Sequence, residues 1–280
     1  MIAKRSGGQL VVLWITVLLS LPFLFQMGSL LMGHPVRMSG WLQLILTSVI
    51  QFICGLGLYQ QALKSWQSRS LTVEAFLVGV ITLVFFYNAN VVINGWPLFT
   101  YFEVNVFTVV QTLLGQWLLS QAHHRQDATR QFSSVLFQVL ADKVTLVFLL
   151  VVSGLSLMAI LGWWLLAGDF YRGLLNGISI WIIACPASLG LAIPTILAVG
   201  MRVAQRLGSI FQLELSETLY KKIRQNLFFT LIFPLMGMPF ALLGWLNPLL
   251  VNATLAMSFF AIMANALLLY FWLPKHTQGV

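Results

Sequence analysis

Charged residues are what this sequence most lacks. Asp, Glu, Lys and Arg make up 8% of its 280 residues, against about 25% in an average soluble domain. Hydrophobic residues reach 59%, and the mean hydropathy is +0.91. So few charges cannot cover the surface of a soluble fold of this size. Intrinsic disorder is excluded as well, because disordered chains are poor in apolar residues and rich in charge. Cysteine is nearly missing: Cys54 and Cys185 lie far apart inside apolar runs, which excludes a disulfide framework or a CxxC pair. Acidic residues number 7 against 15 Lys and Arg. In a soluble protein that balance would raise nucleic acid as a partner. Here the basic residues fall in short segments between apolar runs, as membrane loops do, and no nucleic-acid partner is expected. The composition is that of a polytopic membrane protein with the lipid bilayer as its first partner.

Eight stretches are long enough to cross a bilayer, which takes about 20 helical residues. They fall at 9–31, 39–62, 73–94, 98–120, 144–166, 173–199, 227–246 and 249–272. The runs lack the in/out alternation of barrel strands, which argues for helices. The expected fold class is all-α integral membrane with eight transmembrane helices. Lys4 and Arg5 precede a long first run without a small-x-small cleavage site, so a retained helix is expected there. Eight spans put both termini on one side. Every Lys and Arg except Arg37 and Arg172 then shares that side, which the positive-inside rule makes cytoplasmic. Two cytoplasmic loops are expected, at 121–143 and 200–226, each too short for a folded domain. Within them, 125–139 and 214–224 read as surface helices. His123 and His124 are adjacent, so a helix would point them about 100° apart, and they read as a solvated pair.

Chemistry concentrates in the sixth stretch, Trp181-Ile-Ile-Ala-Cys185-Pro186-Ala187-Ser188-Leu-Gly190-Leu-Ala-Ile-Pro194-Thr195. Pro186 and Pro194 each remove a backbone donor and clash with the preceding turn. Carbonyls freed in lipid are tolerated where the break faces a cavity or a bound ion. A thiolate beside freed carbonyls suits a soft monovalent metal such as Cu(I). A kinked packing helix with an inert buried cysteine fits the same residues.

The run Ile183-Ala184-Cys185-Pro186-Ala187-Ser188-Leu189-Gly190-Leu191-Ala192-Ile193-Pro194-Thr195 resembles the metal-site helix of copper-type heavy-metal P-type ATPases, whose pattern is I-A-C-P-C-A-L-G-L-A-T-P-T. Leu140-Ala141-Asp142-Lys143-Val144 is similar to the start of the family's preceding helix. Tyr101-Phe102-Glu103, with Leu114-Gly115, is similar to its second core helix. Ile223-Arg224-Gln225-Asn226-Leu227-Phe228 and Asn265-Ala266-Leu267 resemble its last two helices. Trp41-Leu-Gln-Leu and Gln51-Phe52 through Gly55 resemble its two extra N-terminal helices. The resemblance runs along nearly the whole chain. It implies two N-terminal helices over 1–70 and a six-helix transport-like core over 71–280, in a bacterial inner membrane with both termini cytoplasmic.

The family inserts actuator, phosphorylation and nucleotide-binding domains where this sequence has only its two short loops. No D-K-T-G-T, T-G-E or G-D-G-x-N-D occurs in it. Phosphoryl transfer needs an aspartate nucleophile, metal ligands and a nucleotide cradle, so no enzyme activity of its own is expected. The metal site is altered too. The family's first cysteine is Cys185, but the second is Ala187. Its Tyr-Asn pair falls on Phe233 and Pro234. Its M-x-x-S-S falls on Leu255, Ser258 and Phe259, with Met257 two positions from the expected methionine. Asp142 keeps the position where the family admits metal, and Glu103 the position where it releases it. Met236 and Met238 are further thioethers nearby, although methionine in an apolar helix usually fills gaps. The family's kinking glycine pair falls on Tyr59-Gln60-Gln61.

The resemblance thus implies Cu(I) as the candidate metal. Cys185, Met257 and Ser258 are its candidate ligands, Asp142 and Glu103 its path, and Pro186, Gly190 and Pro194 the helix break. Three functions follow: an accessory protein of heavy-metal handling, partnered by Cu(I) and a full-length pump or separate soluble domains; a passive metal permease; or a non-transporting remnant.

Overall fold

The computed structural model describes residues 3–32, 36, 38–67, 73–123, 130–184, 189–207, 212–246 and 248–271. For 3–7, 73–74, 121–123, 130–146, 184, 189–191, 194, 204–207 and 212–216, among others, it describes the backbone alone. Every described element is a helix, and no strand occurs among the described residues. The order is α1 (Ala3–Leu31), α2 (Gly40–Ser48), a π-helical turn (Val49–Cys54), α3 (Leu56–Gln67), α4 (Val73–Ile93), α5 (Phe102–His123), α6 (Arg130–Ala167), α7 (Phe170–Ala184), α8 (Leu189–Leu207), α9 (Gln212–Leu242) and α10 (Pro248–Tyr270).

Among the described residues, five segments are long and apolar enough to cross a membrane: Gly8–Leu30, Ala75–Ile93, Leu150–Ala167, Glu217–Leu242 and Leu250–Tyr270. The bent pair Gly40–Cys54 and Leu56–Gln67 makes a sixth if it counts as one span. The eight stretches expected from sequence are fewer by this measure. α5 is long enough, but Glu103, Asn105, Gln111 and Gln116 interrupt its apolar run. The sixth stretch is described as α7 and α8, and 185–188 lie outside the described residues. α5 tolerates its polar residues because it is the inner helix. It packs against α1, α4 and α8, and Glu103, Asn105, Thr108, Gln111 and Thr112 are all buried.

Three features of the structure concern helix ends and a kink. The stretch 121–143 is mostly helical, because α5 runs to His123 and α6 begins at Arg130. α6 has 38 residues, so at 1.5 Å per residue it is about 57 Å long, well beyond a hydrocarbon core of about 30 Å. An α-helix satisfies its own backbone in lipid and in water alike, so nothing forces it to stop at the interface. Likewise, 200–226 is taken up by the end of α8 and the start of α9. The span expected over 39–62 is bent by 58°. The bend follows the π-helical turn and falls at Gly55, ahead of Tyr59-Gln60-Gln61. A Cβ on Gly55 would collide with the Gln51 carbonyl, so glycine is what lets the chain turn there.

The turn after α6 shows how the hairpins close. Gly168 adopts φ 69, a left-handed conformation that glycine takes at no steric cost. The following Asp169 amide donates back to the Trp163 carbonyl at 3.2 Å, which ends the helix. Asp169 then caps α7 by accepting from the Arg172 amide at 2.9 Å. α6 and α7 approach closely because Gly173 and Gly177, four residues apart, face α6. A Cβ on Gly173 would lie 2.7 Å from the Ile160 carbonyl oxygen. Small residues at this spacing let membrane helices pack backbone to backbone.

Candidate metal centre at the helix break

α7 ends at Ala184 and α8 starts at Leu189. Cys185 and Pro186 themselves lie outside the described residues, as do Ala187 and Ser188. Gly190 and Pro194 lie within α8, where the backbone is helical. The turns on both sides of the break are the dry interior of the bundle: Ile180, Ile182 and Ile183 on α7, and Ala192 and Ile196 on α8, are at most 2% exposed.

α9 presses against the approach to the break. A Cβ on Gly237 would collide with Ile183 Cδ1, two residues before Cys185. The next residue, Met238, is 2% exposed and belongs to the same apolar cluster as Ile183. Met236 sits on the outer side of α9 at 62% exposure. Sequence alone offered both methionines; the structure turns only Met238 inward.

The pair Met257 and Ser258 divides. Consecutive helical residues point about 100° apart. Ser258 faces the interior at 2% exposure, and its hydroxyl has no hydrogen-bond partner among the described residues. Met257 is 51% exposed on the outer side of α10. The two are therefore not neighbours in one pocket. Among the described residues, no group of three or more His, Cys, Asp or Glu is arranged to hold a metal.

Downstream of the break, α8 is held by an amide cluster that sequence reading did not single out. Asn226 on α9 donates from Nδ2 to the Ala192 carbonyl at 2.9 Å and to Thr195 Oγ1 at 3.4 Å. Asn265 on α10 donates to Asn226 Oδ1 at 2.6 Å and to the Lys222 carbonyl at 3.1 Å. Lys222 Nζ completes the group by donating to Asn265 Oδ1 at 2.8 Å. Three helices thus meet on two asparagines. The signal for this was the presence of Asn226 and Asn265 inside apolar runs, where an amide is rarely left unpaired.

The two residues expected along a metal path sit on different helices. Asp142 lies on α6, and its side chain is outside the described set. Glu103 opens α5 at 3% exposure. Among the described side chains it is the one buried carboxylate. Gln26 on α1 donates to Glu103 Oε1 at 2.8 Å. Gln26 Oε1 in turn accepts from the Met38 amide at 3.1 Å.

No protein-family profile matches the chain. Individual proteins do. The chain is 42% identical over 89 residues to the copper-transporting ATPase of Helicobacter felis, covering 32% of this chain and 12% of that protein. It is 37% identical over 84 residues to the copper-exporting P-type ATPase of Bacillus subtilis, covering 29% of this chain and 10% of that one. The copper-exporting P-type ATPase of Staphylococcus aureus gives 38% over 84 residues, covering 29% and 10%. The aligned stretch is thus a small part of each relative.

Proposed function

We propose that this chain is a heavy-metal membrane protein with the architecture of a copper P-type ATPase's transport half, handling Cu(I) at the break between α7 and α8. These 280 residues do not hydrolyse ATP alone and work as an accessory to a full-length pump. The observation that carries this reading is the burial of the turns that flank Cys185-Pro186: Ile180, Ile182 and Ile183 on one side and Ala192 and Ile196 on the other are at most 2% exposed. A thiol beside two prolines between such apolar walls suits a soft cation. Likeness to copper-transporting relatives over a quarter to a third of the chain supports the choice of metal.

In this reading α5 and the two halves α7 and α8 count as membrane elements alongside the five apolar helices and the bent pair, which gives eight crossings. Cys185 supplies the thiolate and Met238 the thioether, with Ser258 facing inward from α10. Glu103 and Asp142 mark the two ends of the path. The full-length relatives' pumping is not assigned to these residues.

Metal analysis of the purified chain after Cu(I) loading and washing tests the reading, with Cys185→Ala as control. One retained Cu(I) per chain that disappears in the variant is the expected result. Equal copper in both proteins would remove the assignment. Phosphate release from ATP by the pure chain, if found, would overturn the accessory role while leaving the metal site intact.

A further inference from the structure

Three basic residues stand near the start of α9, and the fold sends them two ways. Lys222 turns inward, where its Nζ donates to Asn265 Oδ1 at 2.8 Å. Lys221 and Arg224 are exposed. They lie three residues apart, so they leave one face of the helix with Cβ atoms about 5–6 Å apart. The same face continues four and eleven residues beyond Arg224 with Phe228 and Leu235, both exposed. Exposed apolar side chains in such a row are the lipid-facing stripe of a membrane helix. The two cations form its first turn.

The neighbouring helix fixes their depth. Only 243–247 connect α9 to α10, so the two helices are antiparallel neighbours. Asn265 meets Lys222 at both its ammonium and its carbonyl, which sets those residues level. Past that level α10 runs on for five residues to Tyr270, about 7.5 Å. Its outward residues there include Leu267 and Leu268, both well exposed. Lys221 and Arg224 therefore leave the bundle at a depth where the next helix still offers apolar side chains to lipid.

A cation near the end of a membrane helix reaches for the headgroup layer, and phosphate is the anion it meets there. Glu217, four residues before Lys221, is the one acidic side chain described on this face. No ion pair joins it to Lys221 or Arg224 among the described residues. Two positive charges against one negative leave a surplus of one.

We propose that Lys221 and Arg224 hold the headgroup of an anionic phospholipid, phosphatidylglycerol in class, against the outer face of α9. Arginine offers a planar fork for two phosphate oxygens and lysine a point charge. One net negative charge on the headgroup balances the surplus. A zwitterionic headgroup brings its own ammonium and leaves the surplus uncompensated. Basic clusters at the end of a span recruit anionic lipid by this attraction. The lipid would sit across the helix from the Lys222–Asn265 contact.

Thermal unfolding of the purified full chain in detergent, titrated with dioleoylphosphatidylglycerol or dioleoylphosphatidylcholine, tests the proposal. A ligand that binds only the folded state raises Tm with its concentration. Wild type should rise by a few degrees with phosphatidylglycerol and far less with phosphatidylcholine. A basic residue near an anionic lipid is worth about fivefold in affinity. Arg224→Gln should then need about fivefold more phosphatidylglycerol for the same rise, and Lys221→Gln/Arg224→Gln about 25-fold more. Lys64→Gln/Arg172→Gln removes the same charge from exposed positions on α3 and α7 and should titrate like wild type. Each rise is taken from the variant's own lipid-free Tm, so a change in basal stability does not mask it. An equal response to both lipids would overturn the proposal. So would a Lys221→Gln/Arg224→Gln protein that titrates like wild type, or two double variants weakened alike, which is the mark of net charge alone. An equal rise in inorganic phosphate would assign the pair to a free anion and overturn it too.

Discussion

Gln26 and Glu103 are joined side chain to side chain at 2.8 Å although 77 positions separate them. The contact ties the end of α1 to the start of α5 and supplies a donor to a carboxyl group removed from water. Gln26→Leu would leave that group without its amide. A loss of about 1–3 kcal/mol is expected, read as a lower unfolding midpoint in detergent. Gln26→Glu should be worse still, because it sets two carboxyl groups face to face.

The asparagine pair behind the helix break should behave as a unit. Asn226→Leu strips a donor from the Ala192 carbonyl and an acceptor from Asn265. Asn265→Leu strips Asn226 and Lys222. Each should cost about 1–3 kcal/mol. The double variant should cost clearly less than the sum, since residues in one network couple. Unfolding of all four proteins in one denaturant series would measure the coupling, and strict additivity would contradict the clamp.

Gly173→Ala should loosen the α6–α7 pair. The new methyl meets the Ile160 backbone carbonyl, which cannot swing aside, and overpacking of this kind costs about 1–3 kcal/mol. Gly154→Ala on α6 is the matched control. Nothing lies within 4 Å of a Cβ there, so that change should be neutral or stabilise by roughly 0.5–1 kcal/mol through helix propensity. Melting curves of the two variants should therefore shift in opposite directions.

Under the copper reading, Met238→Leu should weaken Cu(I) retention about tenfold, with little change in melting temperature, because leucine conserves the volume. Met257→Leu, on the outer side of α10, should leave retention unchanged. Competition with a colorimetric Cu(I) chelator reads both. A result in the reverse order would put the thioether on α10 after all.

The helical class was legible because long apolar runs admit little else. Glu103 stood out as a candidate from the rarity of acidic residues near the spans, and its burial needed the structure. The buried polar column of Gln43, Thr47 and Gln51 was written in the sequence as one residue per turn in an apolar run, yet each residue alone is unremarkable in a membrane segment. The split between Met257 and Ser258 needed the helix phase. Sequence similarity aligns positions along a chain and says nothing of which way each one turns. The continuation of α6 back to Arg130 was missed for a different reason. Charged and polar residues mark where lipid ends, which is not where a helix must end.

The π-helical turn at Val49–Cys54 holds one residue more than a regular turn would. Deleting a single residue there would restore even winding and rotate everything beyond it by roughly 100°. Tyr59 would swing away from its partner Thr82 and Gln61 from its partner Gln116, while Gln43 and Thr47 stayed in place. One surplus amino acid therefore acts as the key that sets how the two halves of the second segment are clocked. A family of sequences lacking it would need a different set of partners along the lower half of α5.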